Sequence, residues 1–312
     1  MLKFKKEFSF IKYRKIYYIV TLIVVVLGLS VGAVRGFNFG IDFTGGTMLQ
    51  MDMGREVAVE DVNKVLKDNH ITADIGHAGK TNNEIIIKTT QALDSKQRIA
   101  LQNEMFETFN VDKTSILTFE LFGPSVGDLL KKNAIKAVLI ASLCMLVYIV
   151  VRFEWKFGVA SMAGVFHDMI ILIAFYGLFH IPINNPFIAA VLTVVGYSIN
   201  DTIVVFDRIR ENLGIMKKTH IEELIDKSIN QTLVRSLMTS LTTVLVIIPL
   251  FILGGTTIRQ FTLPLMIGIV AGCASSIFIC SPIYYELCKA TSGGSKYKGK
   301  DSKATKKAAK TA

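Results

Sequence analysis

The chain has 312 residues, 51% of them hydrophobic, with a mean hydropathy of +0.45 and a formal net charge of +10. Soluble globular chains of this length are less apolar, so the composition excludes an ordinary water-soluble domain and points to membrane spans. The charge does not point to nucleic acid. Residues 1–15 carry +5 and residues 289–312 carry +7, and basic ends flanking apolar spans are explained by membrane orientation and anionic lipid headgroups.

In chain order, residues 1–15 form a basic N-terminal segment and 16–34 a first apolar span. V-G-A at 31–33 resembles a cleavage site only faintly, and the apolar run is long for a signal peptide, so the span reads as an uncleaved anchor. A polar insert follows at 35–131 and opens with G-I-D-F-T-G-G at 40–46, containing Gly40, Asp42, Gly45 and Gly46. These glycines precede a strand rather than a helix, which argues against a phosphate-binding loop. Gly45 and Gly46 fit a tight turn with positive φ where the span hands over to a sheet. Residues 47–53 alternate like a strand, and 57–69 have helical spacing with Val59, Val62, Val65 and Leu66 on one side. Residues 84–88 read as a strand, 95–109 as a helix capped by Asp94 or Ser95, and 116–122 as a further strand. The order strand–helix–strand–helix–strand predicts a small α+β sandwich, with parallel or mixed pairing from the helical crossovers. His70 and His77 have no Cys or His beside them in sequence and read as solvated surface residues.

Five more spans are expected at 133–151, 157–178, 187–206, 237–253 and 261–285, within 132–288, before a basic, disordered tail at 289–312. The fold class is therefore a polytopic α-helical membrane protein, with six transmembrane helices and a small α+β domain between the first two. Lysines and arginines in 152–156 and 207–236 place those loops on the cytoplasmic side with both termini, and the insert on the other side. Cys144, Cys273, Cys280 and Cys288 fall in or beside spans, outside the insert and without metal-ligand spacing, so they read as packing residues.

The informative residues are ionisable ones inside apolar runs, where a charge costs about 2.5–3.5 kcal/mol at mid-span on insertion scales. His167 and Asp168 stand near the middle of the third span, and Asp201 lies in the fourth, beside Asn200 and close to Gly196. Arg235 opens the fifth span at a similar depth, where it can reach toward Asp201 or snorkel to headgroups. Asp207 and Arg208 follow at the inner boundary. A carboxylate balanced between desolvation and an arginine suits a proton relay; it also suits a group that only holds helices together. There is no P-loop, metal cluster or Ser/His/Asp grouping, so the chain reads as a non-enzyme with no cofactor, coupled to H⁺ or Na⁺. Gly268 and Gly272 are four apart in the last span, a spacing that permits close helix packing.

G-I-D-F-T-G-G at 40–46, G-Y-S-I-N-D-T-I-V-V-F-D-R-I-R-E-N at 196–212 and the small-residue run ending in Ser276 resemble the SecF family, membrane subunits of the bacterial protein-export apparatus. The resemblance implies a six-span half of a resistance-nodulation-division-like transporter in the bacterial cytoplasmic membrane. It implies pairing with SecD, association with the SecYEG channel, and use of the proton-motive force to help draw preproteins out of that channel. Its proton-path aspartate and arginine carry over to Asp201 and Arg235; Asp168 matches a His-Asp pair whose role the resemblance does not define. Rival readings are a half-transporter for lipids or hydrophobic solutes, and a non-energised scaffold of the channel.

Overall fold

The computed structural model describes residues 8–79, 81–216 and 219–291. The basic segments at 1–7 and 292–312, and with them most of the expected tail, lie outside the described residues. Among the described residues, six helical segments are long and apolar enough to cross a membrane. The first is α1 (Arg14–Arg35), entered through a tight turn at Ile11–Tyr13. After the sheet domain come α5 (Pro124–Arg152), α6 (Trp155–Phe179), α7 (Asn185–Ile215) and α8 (Ile221–Leu253). The last is α9 (Thr256–Ser275), continued by a wide π turn (Ser276–Cys280) and α10 (Ser281–Thr291).

Each expected span falls within one of these helical segments, and the helices run further. The stretch 207–236, expected as a loop, is mostly helix: α7 continues to Ile215 and α8 starts at Ile221. The reason is amphipathicity. Ile209 and Asn212 on α7, and Leu224, Ile225, Ser228 and Ile229 on α8, are buried while Asp207, Glu211 and Glu223 are exposed. The π turn has a cause in sequence. Pro282 has no N–H to donate and its ring crowds the preceding turn, so the helix widens just before it. The Ser281 hydroxyl donates to the Ser276 carbonyl at 2.9 Å across the widened turn.

Small residues set the bundle's spacing. A Cβ on Gly28 of α1 would stand 2.4 Å from the Ala174 carbonyl of α6, and Gly32 meets Gly177 in the same way. A Cβ on Gly268 of α9 would stand 2.2 Å from Val194 of α7, and one on Gly272 3.0 Å from Ser198. The segments α6, α7 and α9–α10 are therefore central, while α1, α5 and α8 present long apolar faces outward.

Between α1 and α5 lies the small domain. It comprises the one-turn helix α2 (Ile41–Thr44), β1 (Gly46–Asp52), α3 (Val59–Asp68), β2 (Asp74–Ala78), β3 (Glu84–Thr89), α4 (Ser95–Phe109) and β4 (Ile116–Phe122). The sheet order is β2-β3-β1-β4, and every neighbouring pair is antiparallel. This corrects the expected parallel or mixed pairing. Each helical crossover does join strands of like direction, β1 to β2 over α3 and β3 to β4 over α4. A third strand is inserted between each such pair, giving two interleaved split βαβ units. The strand absent from the sequence reading is β2, whose D-I-G-H-A has little apolar alternation and pairs with β3 as a hairpin. Leu49, Met51, Ile85 and Ile87 point to one face and pack with Val62, Leu66, Leu101, Met105 and Phe109 from α3 and α4. Asp94 caps α4 by accepting from Gln97 N at 2.7 Å, and Asp94 N in turn donates to Gln97 Oε1 at 3.1 Å. His77 is half-buried, its Nε2 2.7 Å from the Val57 carbonyl, rather than the solvated residue expected.

Candidate functional site

The G-I-D-F-T-G-G turn is more than a connector. Gly45 and Gly46 have φ of +80° and +146°, and a Cβ on Gly46 would stand 2.1 Å from the Thr89 carbonyl. The residues before them dock on the turn between α6 and α7. Gly40 N donates to the Ile183 carbonyl, and Ile183 N to the Asn38 carbonyl, both at 2.8 Å. Gly40 packs so closely on Asn184 that any side chain would collide with it. Asp42 Oδ2 accepts from Asn185 N at 2.7 Å, so a residue of the small domain caps the N-terminus of α7. Phe43 seals the joint among Leu172, Tyr176, Phe187 and Val191. On the far side, Thr256 at the start of α9 donates to the His77 carbonyl of β2 at 2.6 Å. A cavity of about 490 Å³ lies between, lined by Asp74, Lys88, Asn184, Thr256 and Gln260 among others.

Halfway along the bundle stand two buried carboxylates, both marked by the sequence. Asp168 on α6 is 1% exposed. Its Oδ2 accepts from Ser198 Oγ of α7 at 2.6 Å and from Ser275 Oγ of α9 at 2.9 Å, and its Oδ1 lies 2.9 Å from His167 Nδ1. Asp201 on α7 is 3% exposed. Ser236 of α8 and Cys273 of α9 face it, yet Asp201 Oδ2, Ser236 Oγ and nearby Ser240 Oγ are buried without a hydrogen-bond partner among the described residues. Natural cores leave few such atoms, and each calls for an explanation.

Arg235 lies within electrostatic reach of Asp201. Among the described residues, however, no nitrogen of Arg235 comes within 4.0 Å of an Asp201 oxygen, and Arg235 is exposed. The two occupy neighbouring helices without forming an ion pair in this structure. Gly196 and Asn200 on α7 are also exposed, as are Arg235, Thr239 and Thr242 on α8. These residues make a polar stripe at mid-span that faces out of this chain's own bundle.

At the end of α7 the D-R-I-R-E-N stretch does more than land the helix. Arg208 Nε donates to Gln231 Oε1 at 2.6 Å, and Asn212 reaches Ser228 and Gln231 of α8 at 2.8 and 2.9 Å. Arg210 pairs with Asp207 at 2.6 Å and lies 4.8 Å from the Phe153 ring centroid. Sequence reasoning missed Ser198, Ser236 and Ser275 as polar partners. Their signal was present: Ser198 lies one turn from Asp201, Ser236 stands next to Arg235, and Ser275 lies in the small-residue run of the last span.

Comparison with known proteins follows the same lines. Residues 101–290 match the family described as protein export membrane protein SecD/SecF, C-terminal, and residues 31–56 match the SecD/SecF GG motif. The protein translocase subunit SecF of Sebaldella termitidis is 37% identical over 286 residues, covering 90% of this chain and 92% of that protein. The SecF of Haemophilus influenzae is 37% identical over 280 residues, covering 89% and 86%. The crystal structure of SecDF, a translocon-associated membrane protein from Thermus thermophilus, superposes with a TM-score of 0.79 at 38% identity over 93% of this chain. SecDF in its super-membrane-facing form gives 0.69 at 37% identity over 95%. This chain spans 40% and 41% of those two SecDF chains. It is a multi-pass membrane protein that belongs to the SecD/SecF family of protein-export membrane proteins.

Proposed function

We propose that this chain is an accessory subunit of the Sec protein translocase. It works with SecD beside the SecYEG channel, and uses the proton-motive force to promote preprotein translocation and release. The observation that carries this reading is Asp201, a buried carboxylate with an open oxygen in an apolar bundle, flanked by two buried serine hydroxyls also without partners. A buried carboxylate with an uncommitted oxygen can take up and release a proton or a sodium ion as the surrounding helices move. Each charge that crosses the field supplies about 2.3 kcal/mol per 100 mV. H⁺ is the coupling ion of this proposal and Na⁺ the alternative. Arg235 serves as the countercharge that approaches Asp201 in another state of the cycle.

The polar stripe of Gly196, Asn200, Arg235 and Thr239 supports a partner half, because such groups are costly against lipid and face protein or water instead. SecD is the partner proposed to cover it. The orientation follows the basic residues, with both termini in the cytoplasm and the sheet domain outside, in a bacterial cytoplasmic membrane.

The coupling reading is tested with Asp201→Asn in vesicles holding the full translocase. Gradient-stimulated preprotein release is expected to fall to the level seen without a gradient, while ATP-driven translocation persists. Stimulation that survives intact would refute it. Replacing the proton gradient by a sodium gradient separates the two ions. Reporter fusions at positions 80, 217 and 303, all outside the described residues, test orientation: 80 is expected outside, 217 and 303 inside.

A further inference from the structure

We propose that Asp168 is a positioning residue for Asp201: it holds α7 through Ser198 and α9 through Ser275, and so sets where the Asp201 carboxylate stands between them. The inference rests on Asp201 as the coupling carboxylate and adds a second, non-cycling member to the site.

Ser198 lies three residues before Asp201, one turn along the same face of α7. Ser275 lies two residues beyond Cys273, which faces Asp201 from α9. Both hydroxyls converge on one oxygen, Asp168 Oδ2, at 2.6 and 2.9 Å. Three helices that approach this closely need small residues at the crossing, and Gly164, Gly272 and the two serines supply them. A Cβ on Gly164 would stand 2.2 Å from Cys280 Sγ.

Ser275 also immediately precedes the π turn, where the regular backbone ladder is interrupted. Local hydroxyl bonds shape that stretch, Ser275 to the Gly272 carbonyl at 3.1 Å and Ser276 to the Cys273 carbonyl at 2.9 Å. The Ser275 bond to Asp168 ties it to α6. Asp201 and Asp168 thus divide the work: one carboxylate has an open oxygen, and the other is filled by donors that hold the first in place. The titratable groups around the pair are His167 on α6, Cys280 in the π turn, Cys273 on α9 and Arg235 on α8.

The test labels the full chain in detergent with dicyclohexylcarbodiimide, which adds to protonated carboxyl groups in apolar surroundings, and maps the adduct by mass spectrometry across pH. Labelling is expected at Asp201. Its pH midpoint is expected to move by about one unit, the scale on which carboxylates spread among protein environments, in Asp168→Ala and equally in the double variant Ser198→Ala with Ser275→Ala. Asp168→Asn keeps an acceptor oxygen for both hydroxyls and is expected to stay close to the parent. An unmoved midpoint in Asp168→Ala and in the double serine variant overturns the proposal. So does an adduct on Asp168 itself, with gradient-driven release lost in Asp168→Asn, because Asp168 would then be a relay station. If Asp168→Ala does not fold, the single serine variants carry the same comparison. Failure of the coupling reading is scored separately, in the vesicle assay of Asp201→Asn, and leaves the labelling shift standing.

Discussion

The sheet domain and the helical bundle both bury apolar side chains, but the bundle also buries carboxylates. In the domain, the interior is Leu49, Met51, Val62, Leu101 and Met105, and the buried polar side chains are hydroxyls such as Thr47 and Thr89. At the centre of the bundle polar groups are mixed among buried apolar ones such as Val165, Val195, Ile199 and Phe206. Ser161, Asp168, Ser198, Asp201, Thr202, Ser236 and Ser275 are inside, while Leu22, Ile23, Leu139, Ile140, Leu143 and Val246 face out. Each arrangement answers its solvent. In water, apolar area removed from solvent drives packing. In lipid there is little such drive between helices, so close approach of small residues and hydrogen bonds hold them together. A bundle of that kind has room for a carboxylate that a water-soluble core of the same size excludes.

That contrast can be broken in three places, in order of effect. Gly268→Leu is expected to be the most damaging, because even its Cβ would stand 2.2 Å from Val194. The readout is loss of the monodisperse species on size exclusion in detergent; a normal monodisperse yield would show that the α7–α9 contact does not set the bundle. Met105→Ala removes a fully buried side chain from the domain core and is expected to cost about 2–5 kcal/mol. Hydrogen exchange should accelerate in β1 and β3 while α6 and α7 keep their protection. Equal acceleration in the bundle would mean that the two regions unfold as one unit. Asp94→Ala removes the capping box of α4 and is expected to cost about 1 kcal/mol, seen as faster exchange in the first turn of α4 alone.

The spans were legible because lipid imposes a strict rule on length and polarity, and Asp168 and Asp201 stood out as violations of it. The polar ends of α7 and α8 were not legible as helix. Their charges look like loop, and only the partners across the pair, such as Gln231 for Arg208, show why they stay helical. β2 was missed because a strand paired on one edge and resting on Thr256 needs no alternating apolar face. The antiparallel pairing followed from that one missing strand. Asp201 and Arg235 were correctly placed on adjacent helices, but a sequence carries depth and not side-chain direction, so the absence of a contact between them had to be seen. The small-residue run of the last span, which holds Ser275, read as packing, since a hydroxyl and a small side chain leave the same trace in an apolar run.

Asp42 has one more consequence. It holds the first amide of α7, the same helix that carries Asp201. Sixteen residues separate Asn185 from Asp201, which at 1.5 Å per residue is a rigid rod of about 24 Å. A tilt of about 10° at the domain end therefore displaces the buried carboxylate by roughly 4 Å, enough to make or break a contact with a neighbouring side chain. The sheet domain and the buried Asp201 thus stand at the two ends of one stretch of helix.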